Sequence, residues 1–245
     1  MPGNLSLPNK VMIVVGGSRG IGAAVARMAA ARGWAVALTY HSGADEAQAL
    51  ANGICAAGGT ARAVPCDVAD EASVARAFAD AATLGPVAAM VYSSGITGAA
   101  SPLAQAEAET LRQVVGVNLT GAMLAAREAV RAMPHGGAIT FISSRASDRG
   151  SAGEYVWYAA TKGGVNSLAI GLSKEVAALG IRVNCVSPGP VATDMLSPQR
   201  QAQGAAAVPM QRVGQPEEIA EAVLFLSSDA ASYVTGANLA VAGGA

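Results

Sequence analysis

Three side chains whose types and spacing could do chemistry are Ser144, Tyr158 and Lys162. Tyr158 and Lys162 are four positions apart, so on a helix they share one face. A free phenol titrates at about pH 10 and is a poor base in neutral solution. An ammonium about 5 Å away, at an effective dielectric of about 20, favours the phenolate by roughly 3 kcal/mol, or roughly two pKa units. That predicts a tyrosine able to exchange a proton with the oxygen of a carbonyl or an alcohol. Ser144 ends an apolar run just ahead of this helix, where its hydroxyl could hold the same oxygen. The plainer alternative places Lys162 on the surface and makes Tyr155 a core tyrosine without a role.

A second pattern lies near the start. The apolar run Lys10–Gly16 leads into Gly16-Gly17-Ser18-Arg19-Gly20-Ile21-Gly22 and then an alanine-rich stretch. Glycines permit a tight turn and close approach to a pyrophosphate, and free N–H groups at a helix start bind its charge. The spacing is Gly-x-x-x-Gly-x-Gly rather than Gly-x-Gly-x-x-Gly, so its weight comes from its place after a first strand. The next strand ends in Tyr40-His41-Ser42, and no carboxylate follows until Asp45. An acidic residue there would favour NAD(H); Arg19 in the loop can instead pair with a 2′-phosphate, with His41 and Ser42 adding hydrogen bonds. The expected cofactor is therefore NADP(H) rather than NAD(H). Asp67 and Val68 follow the third strand, where the carboxylate could accept from an adenine amino group or cap a helix.

The elements that must position these groups alternate. Strands are expected at Lys10–Gly16, Trp34–Tyr40, Ala61–Cys66, Val87–Tyr92, Ala138–Ser143, Ile181–Ser187 and Asn238–Val241. Helices are expected at Gly22–Gly33, Ala44–Ala57, Glu71–Thr83, Tyr155–Leu179 and Pro216–Leu226. Thr110–Met133 reads as one bent helix or two joined near Val117-Asn118, and Pro188–Pro209 as an irregular loop with room for a short helix. Right-handed crossovers turn this alternation into one α/β domain over residues 1–245, a Rossmann-type parallel sheet with helices on both faces. Residues from about 188 to 215 form the expected substrate loop.

Composition agrees. At 52% hydrophobic and 13% charged, the chain can bury a large core, and a net charge of -1 gives no field for nucleic acid or anionic lipid. No apolar stretch approaches the roughly 20 residues of a spanning helix. Met1–Leu5 has no basic start followed by an apolar run, and Cys55, Cys66 and Cys185 stand singly. A cytoplasmic protein with reduced thiols and no metal site is expected.

Several segments together resemble the short-chain dehydrogenase/reductase superfamily over essentially the whole chain. They are GGSRGIG at 16–22, CDV at 66–68, VN at 117–118, ISS at 142–144, YAATKGG at 158–164, RVNCVSPGPVATDM at 182–195 and YVTGANLAVAGG near the C-terminus. The resemblance implies strand order 3-2-1-4-5-6-7, a seven-stranded sheet and a homotetramer or homodimer. It gives Ser144, Tyr158 and Lys162 the roles argued above, and adds Asn118 as holder of a water in the proton relay. It places Ser93 and Gly95, Pro188 and Gly189, Val191 and Thr193 along the cofactor, with Thr193 at the carboxamide. The chain departs from the family pattern at Val15, where a loop-bracing threonine is usual, and at Tyr92-Ser93-Ser94-Gly95, where Asn-Asn-Ala-Gly is usual. It departs again at Ala242-Gly243-Gly244, usually Asp-Gly-Gly, and in a Ser144–Tyr158 spacing one longer than in many members.

The expected partner is a small carbonyl or alcohol. It would lie between Ser94–Leu103, Arg145–Trp157 and Val191–Met210, and mixed apolar and charged side chains there do not single out one substrate. Two other readings use the same scaffold: an NADP(H)-binding regulator or assembly subunit without turnover, and an epimerase or dehydratase that consumes no cofactor overall.

Overall fold

A computed structural model describes residues 10–245; the leader argument made on Met1–Leu5 lies outside the described residues. The first strand, β1 (Val11–Val15), is buried along its whole length. Its side chains divide by parity: Val11, Ile13 and Val15 enter one core, Met12 and Val14 the other. A strand covered on both faces needs such an uninterrupted apolar run. The remaining strands are β2 (Ala35–Tyr40), β3 (Thr60–Pro65), β4 (Val87–Tyr92), β5 (Gly137–Ile142), β6 (Ile181–Pro188) and β7 (Asn238–Val241). All pair parallel, in the order β3-β2-β1-β4-β5-β6-β7.

The helices are α1 (Gly20–Ala31), α2 (Ala44–Ala56), α3 (Glu71–Ala82), α4 (Ala108–Val115), α5 (Gly121–Ala132), α6 (Ala146–Arg149), α7 (Val156–Glu175), α8 (Pro198–Ala207) and α9 (Pro216–Ser227). Side chains of α1, α2 and α9 fill one core, and those of α3, α5 and α7 the other. This is a single Rossmann-type α/β domain. Between β1 and β4 the strand order reverses, which opens a crevice at the strands' carboxyl ends.

The bend expected near Asn118 is a π turn, Gly116–Thr120, between α4 and α5. The long helix expected to reach Leu179 stops at Glu175, followed by a 3-10 turn, Ala177–Leu179. The loop after β6 does contain a helix, α8, started by Ser197, whose hydroxyl accepts from Arg200 N. The four-residue α6, just after Ser144, went unread because one turn is too short to show a period.

Candidate active site

The glycine loop runs from the end of β1 into α1. Gly16 has φ +80°, a region that disfavours side chains, and a Cβ there would lie 2.6 Å from Ser94 Oγ. A Cβ on Gly22 would lie 2.1 Å from the Gly16 carbonyl oxygen, so only glycine lets the helix close on the turn. Arg19 stands at the N-cap with no side-chain cap bond, and no acidic residue occupies the first turn. The first N–H groups of α1 are thus left to a ligand, and the backbone is bare enough for a pyrophosphate to approach them. Ser18 is partly exposed on this loop, whereas Ile21 packs against the α1 core and offers its backbone alone.

At the end of β2, Tyr40 also packs against that core, while His41 and Ser42 are exposed. His41 Nε2 lies 3.8 Å from Asp67 Oδ2. Asp67 is not the cap of α3: its Oδ1 accepts from Ala69 N at 2.9 Å in a local turn, and Asp70 caps the helix by accepting from Ala72 N. Val68 is buried, so its side chain belongs to the core and only its backbone can meet a ligand. The opposite wall is the segment after β6. Pro188 is buried, Gly189 N donates to Val241 O at 3.1 Å, and Val191 is buried. A Cβ on Gly20 would lie 3.3 Å from the Thr193 methyl, so this segment reaches across to the glycine loop.

The proton-handling groups meet deeper in the crevice. Lys162 is buried on α7; its Nζ donates to the Ile142 carbonyl at 2.8 Å and lies 5.6 Å from the Tyr158 ring centre. A Cβ on Gly95 would sit 3.4 Å from that Nζ and 3.5 Å from Asn118 Oδ1, which puts Gly95, Lys162 and Asn118 at one point. Asn118 is fully buried in the π turn. Its Oδ1 accepts from Ile96 N, and its Nδ2 donates to Ile96 O and to Thr161 Oγ1. The turn is braced from below by the Tyr92 hydroxyl, which donates to Val117 O at 2.5 Å. Ser144 Oγ accepts from Ala146 N at 3.0 Å, which leaves its own proton to face the Tyr158 hydroxyl or a substrate oxygen.

The electrostatics correct one expectation. Burial pushes the Tyr158 phenol above its ordinary value, with the Ser144 hydroxyl acting in the opposite sense. Burial also lowers Lys162 from 10.5 to about 8. Desolvation therefore dominates, and the protein's own groups keep the phenol protonated. Over the mouth, Arg200 of α8 bonds Glu154 through Nη2 at 3.2 Å and stacks 5.1 Å from the Tyr155 ring centre. This clasp joins the two flanks of the expected substrate cleft, and sequence spacing gave no sign of it.

Residues 15–245 match the family described as enoyl-(acyl carrier protein) reductase. Over 244 residues the chain is 44% identical to the uncharacterized oxidoreductase YgfF of Escherichia coli, covering 96% of this chain and 99% of that one. The chain belongs to the short-chain dehydrogenase/reductase superfamily. Two solved structures agree with a TM-score of 0.92 each. One is a dehydrogenase/reductase from Sinorhizobium meliloti, 34% identical, covering 98% of this chain and 96% of that one. The other is a blue fluorescent protein from a metagenomic library in complex with NADPH, 38% identical, covering 97% and 98%. Membership makes the chain an oxidoreductase of CH–OH and C=O groups.

The departures from the family pattern have local answers in this short-chain dehydrogenase/reductase. The hydroxyl missing at Val15 is supplied by Thr39, whose Oγ1 accepts from Gly16 N at 3.1 Å. Thr39 was missed because it lies in the adjacent strand, and only register brings it to the loop. Ser93 N donates to Val15 O at 2.8 Å and so ties β4 to the loop through its backbone. The longer Ser144–Tyr158 spacing is taken up beyond α6, where Gly150, Ser151 and Gly153 all have positive φ.

Proposed function

We propose that this protein transfers a hydride between NADP(H) and a carbonyl or secondary alcohol, with Tyr158 as the group that gives or takes the proton. The observation that carries this reading is the meeting of Ser144, Tyr158 and Lys162 at the carboxyl end of β5, beside a glycine loop with an open helix start. NADP(H), when bound, supplies or accepts the hydride. Gly16, Ser18, Gly20, Ile21 and Gly22 would cradle the pyrophosphate, Asp67, Val68 and Ser93 would lie along the adenosine, and Pro188, Gly189, Val191 and Thr193 along the nicotinamide.

Ser144 donates its proton to the substrate oxygen and fixes it against the Tyr158 hydroxyl. The Tyr158 phenol gives that oxygen its proton as the carbonyl is reduced. Lys162 keeps a cation beside the forming phenolate, and Asn118 holds the π turn and the Ile96 backbone around it. Preference for NADP(H) rests on the exposed Arg19, His41 and Ser42 and on the lack of a carboxylate at the end of β2; the similar blue fluorescent protein was solved with NADPH. Exposed apolar side chains on α4, α5 and α7 (Val115, Met123, Ile170) support self-association as a homotetramer or homodimer, distinguished by light scattering.

The test is an absorbance assay with NADPH, then NADH, against a panel of aldehydes and ketones. Tyr158→Phe should cost at least about a hundredfold in kcat while NADPH binding persists. Turnover unaffected by this change, or none on any carbonyl, would remove the reading; faster turnover with NADH would overturn the cofactor assignment alone.

A further inference from the structure

The face of α7 that carries Tyr158 and Lys162 continues one turn further to Asn166, a residue outside the family motifs. Residues i, i+4 and i+8 form one stripe along a helix, here turned toward the end of β5. Asn166 Nδ2 donates to Ser147 Oγ at 3.0 Å. Ser147 Oγ in turn donates to the Ser144 carbonyl at 2.7 Å. The Ser147 hydroxyl has one proton, given to that carbonyl or, at 3.1 Å, to Asp148 Oδ1, so in either case the amide must present its N–H to Ser147. Asn166 Oδ1 is then buried with no hydrogen-bond partner among the described residues.

An unpaired buried acceptor costs about 1–3 kcal/mol. An aliphatic side chain of similar size would remove that cost, so stability does not account for the amide. Its position does. Ser144 lies where β5 ends and α6 begins, ahead of a segment with three positive-φ residues and one residue more than is usual. Within that segment the Ser144 carbonyl also accepts from Ser147 N at 3.1 Å, so Ser147 grips it twice, and Asn166 is the contact that ties Ser147 to a helix outside the segment.

We infer that Asn166 is a positioning residue: through Ser147 it holds the Ser144 carbonyl, and thereby aims the Ser144 hydroxyl at the substrate oxygen. The inference rests on the reading of Ser144 given above. The chain of bonds ties the two halves of the site together, because the same helix that carries the phenol fixes the hydroxyl opposite it. Lys162 Nζ on Ile142 O and Ser143 Oγ on Lys162 O stitch the neighbouring turn of α7 to β5 in the same way.

The experiment uses Asn166→Leu, which keeps the branched heavy-atom shape and removes the unpaired acceptor, with NADPH and the ketone of the panel reduced fastest. The unfolding midpoint should hold or rise and NADPH affinity stay unchanged, while kcat falls about tenfold. In a Ser144→Ala background the same change should cost nothing further. An undiminished kcat in Asn166→Leu, or an equal loss in both backgrounds, overturns the inference alone. An unchanged kcat in Ser144→Ala overturns the reading of Ser144 and the inference with it. If Asn166→Leu does not fold, or Ser144→Ala has no measurable rate, Ser147→Ala cuts the same chain. It should lose about tenfold by itself, and Asn166→Ala added to it should lose no more; a further loss is the contrary result.

Discussion

Replacing Lys162 by methionine should stabilise the protein at neutral pH while removing its turnover. The amine is buried, with the Ile142 carbonyl as its hydrogen-bond partner. Burial lowers it from 10.5 to about 8, which sets about 3 kcal/mol against the charged form at pH 7. Methionine has similar length and no charge, so it escapes this penalty. It also leaves the Ile142 carbonyl without a partner, at about 1–3 kcal/mol. The net expectation is a gain of about 0–2 kcal/mol, worth about 2–4 °C in midpoint per kcal/mol for a chain of this size.

The pH dependence gives the sharper check. The unfolded chain holds the lysine proton up to 10.5, the folded chain only up to about 8. Between these values the unfolded state binds more protons, so the lysine's contribution to stability rises with pH. Cys66 and Cys185, raised by burial from 9.0 to about 11 and about 12, act in the opposite sense above pH 9. Stability of the variant minus that of the native chain isolates the lysine. Measured by urea unfolding from pH 6 to 10.5, the advantage of the methionine variant should shrink steadily above about pH 8 and turn into a deficit. A variant less stable at pH 7, or an advantage independent of pH, refutes the argument that burial governs this amine.

Arg19→Ala should raise the dissociation constant for NADPH by about 10- to 100-fold, the loss of one charge-assisted bond, and leave that for NADH nearly unchanged; fluorescence titration with both cofactors checks it. Gly22→Ala puts a methyl 2.1 Å from the Gly16 carbonyl, so the loop must open. It should destabilise by about 1–3 kcal/mol and abolish saturable NADPH binding, read by thermal unfolding with and without the cofactor.

The fold was legible because its central strands are buried on both faces: β1 and β4 show as apolar runs between glycines and prolines, and β4 was bounded to the residue, as was the exposed edge strand β7. The bend at Asn118 was visible as a pattern too long for one straight helix. Groups joined only by register or by a turn were not legible. Thr39 reaches Gly16 from the neighbouring strand, and Arg200 meets Glu154 across 46 positions. No spacing rule links such pairs. The shift of Tyr158 was misread for a related reason. Distance to a cation can be guessed from a helical repeat, but the loss of water around both groups depends on the packing of α7 against β6 and the end of β5, which the repeat does not contain.

That correction bears on direction. With burial raising Tyr158, the phenol rests as a proton donor, and reduction of a carbonyl can begin without any prior ionisation. Oxidation of an alcohol needs the phenolate, and Lys162, losing its own proton at about 8, supports it less as pH rises. The remaining help must come from positive charge on the cofactor side. The rate of reduction should therefore be flat from about pH 6 to 8 and fall above it, while oxidation should climb over the same interval. Initial rates in both directions, measured on one substrate pair across that range, decide the matter. Parallel profiles in the two directions would mean that another group, not Tyr158, carries the proton.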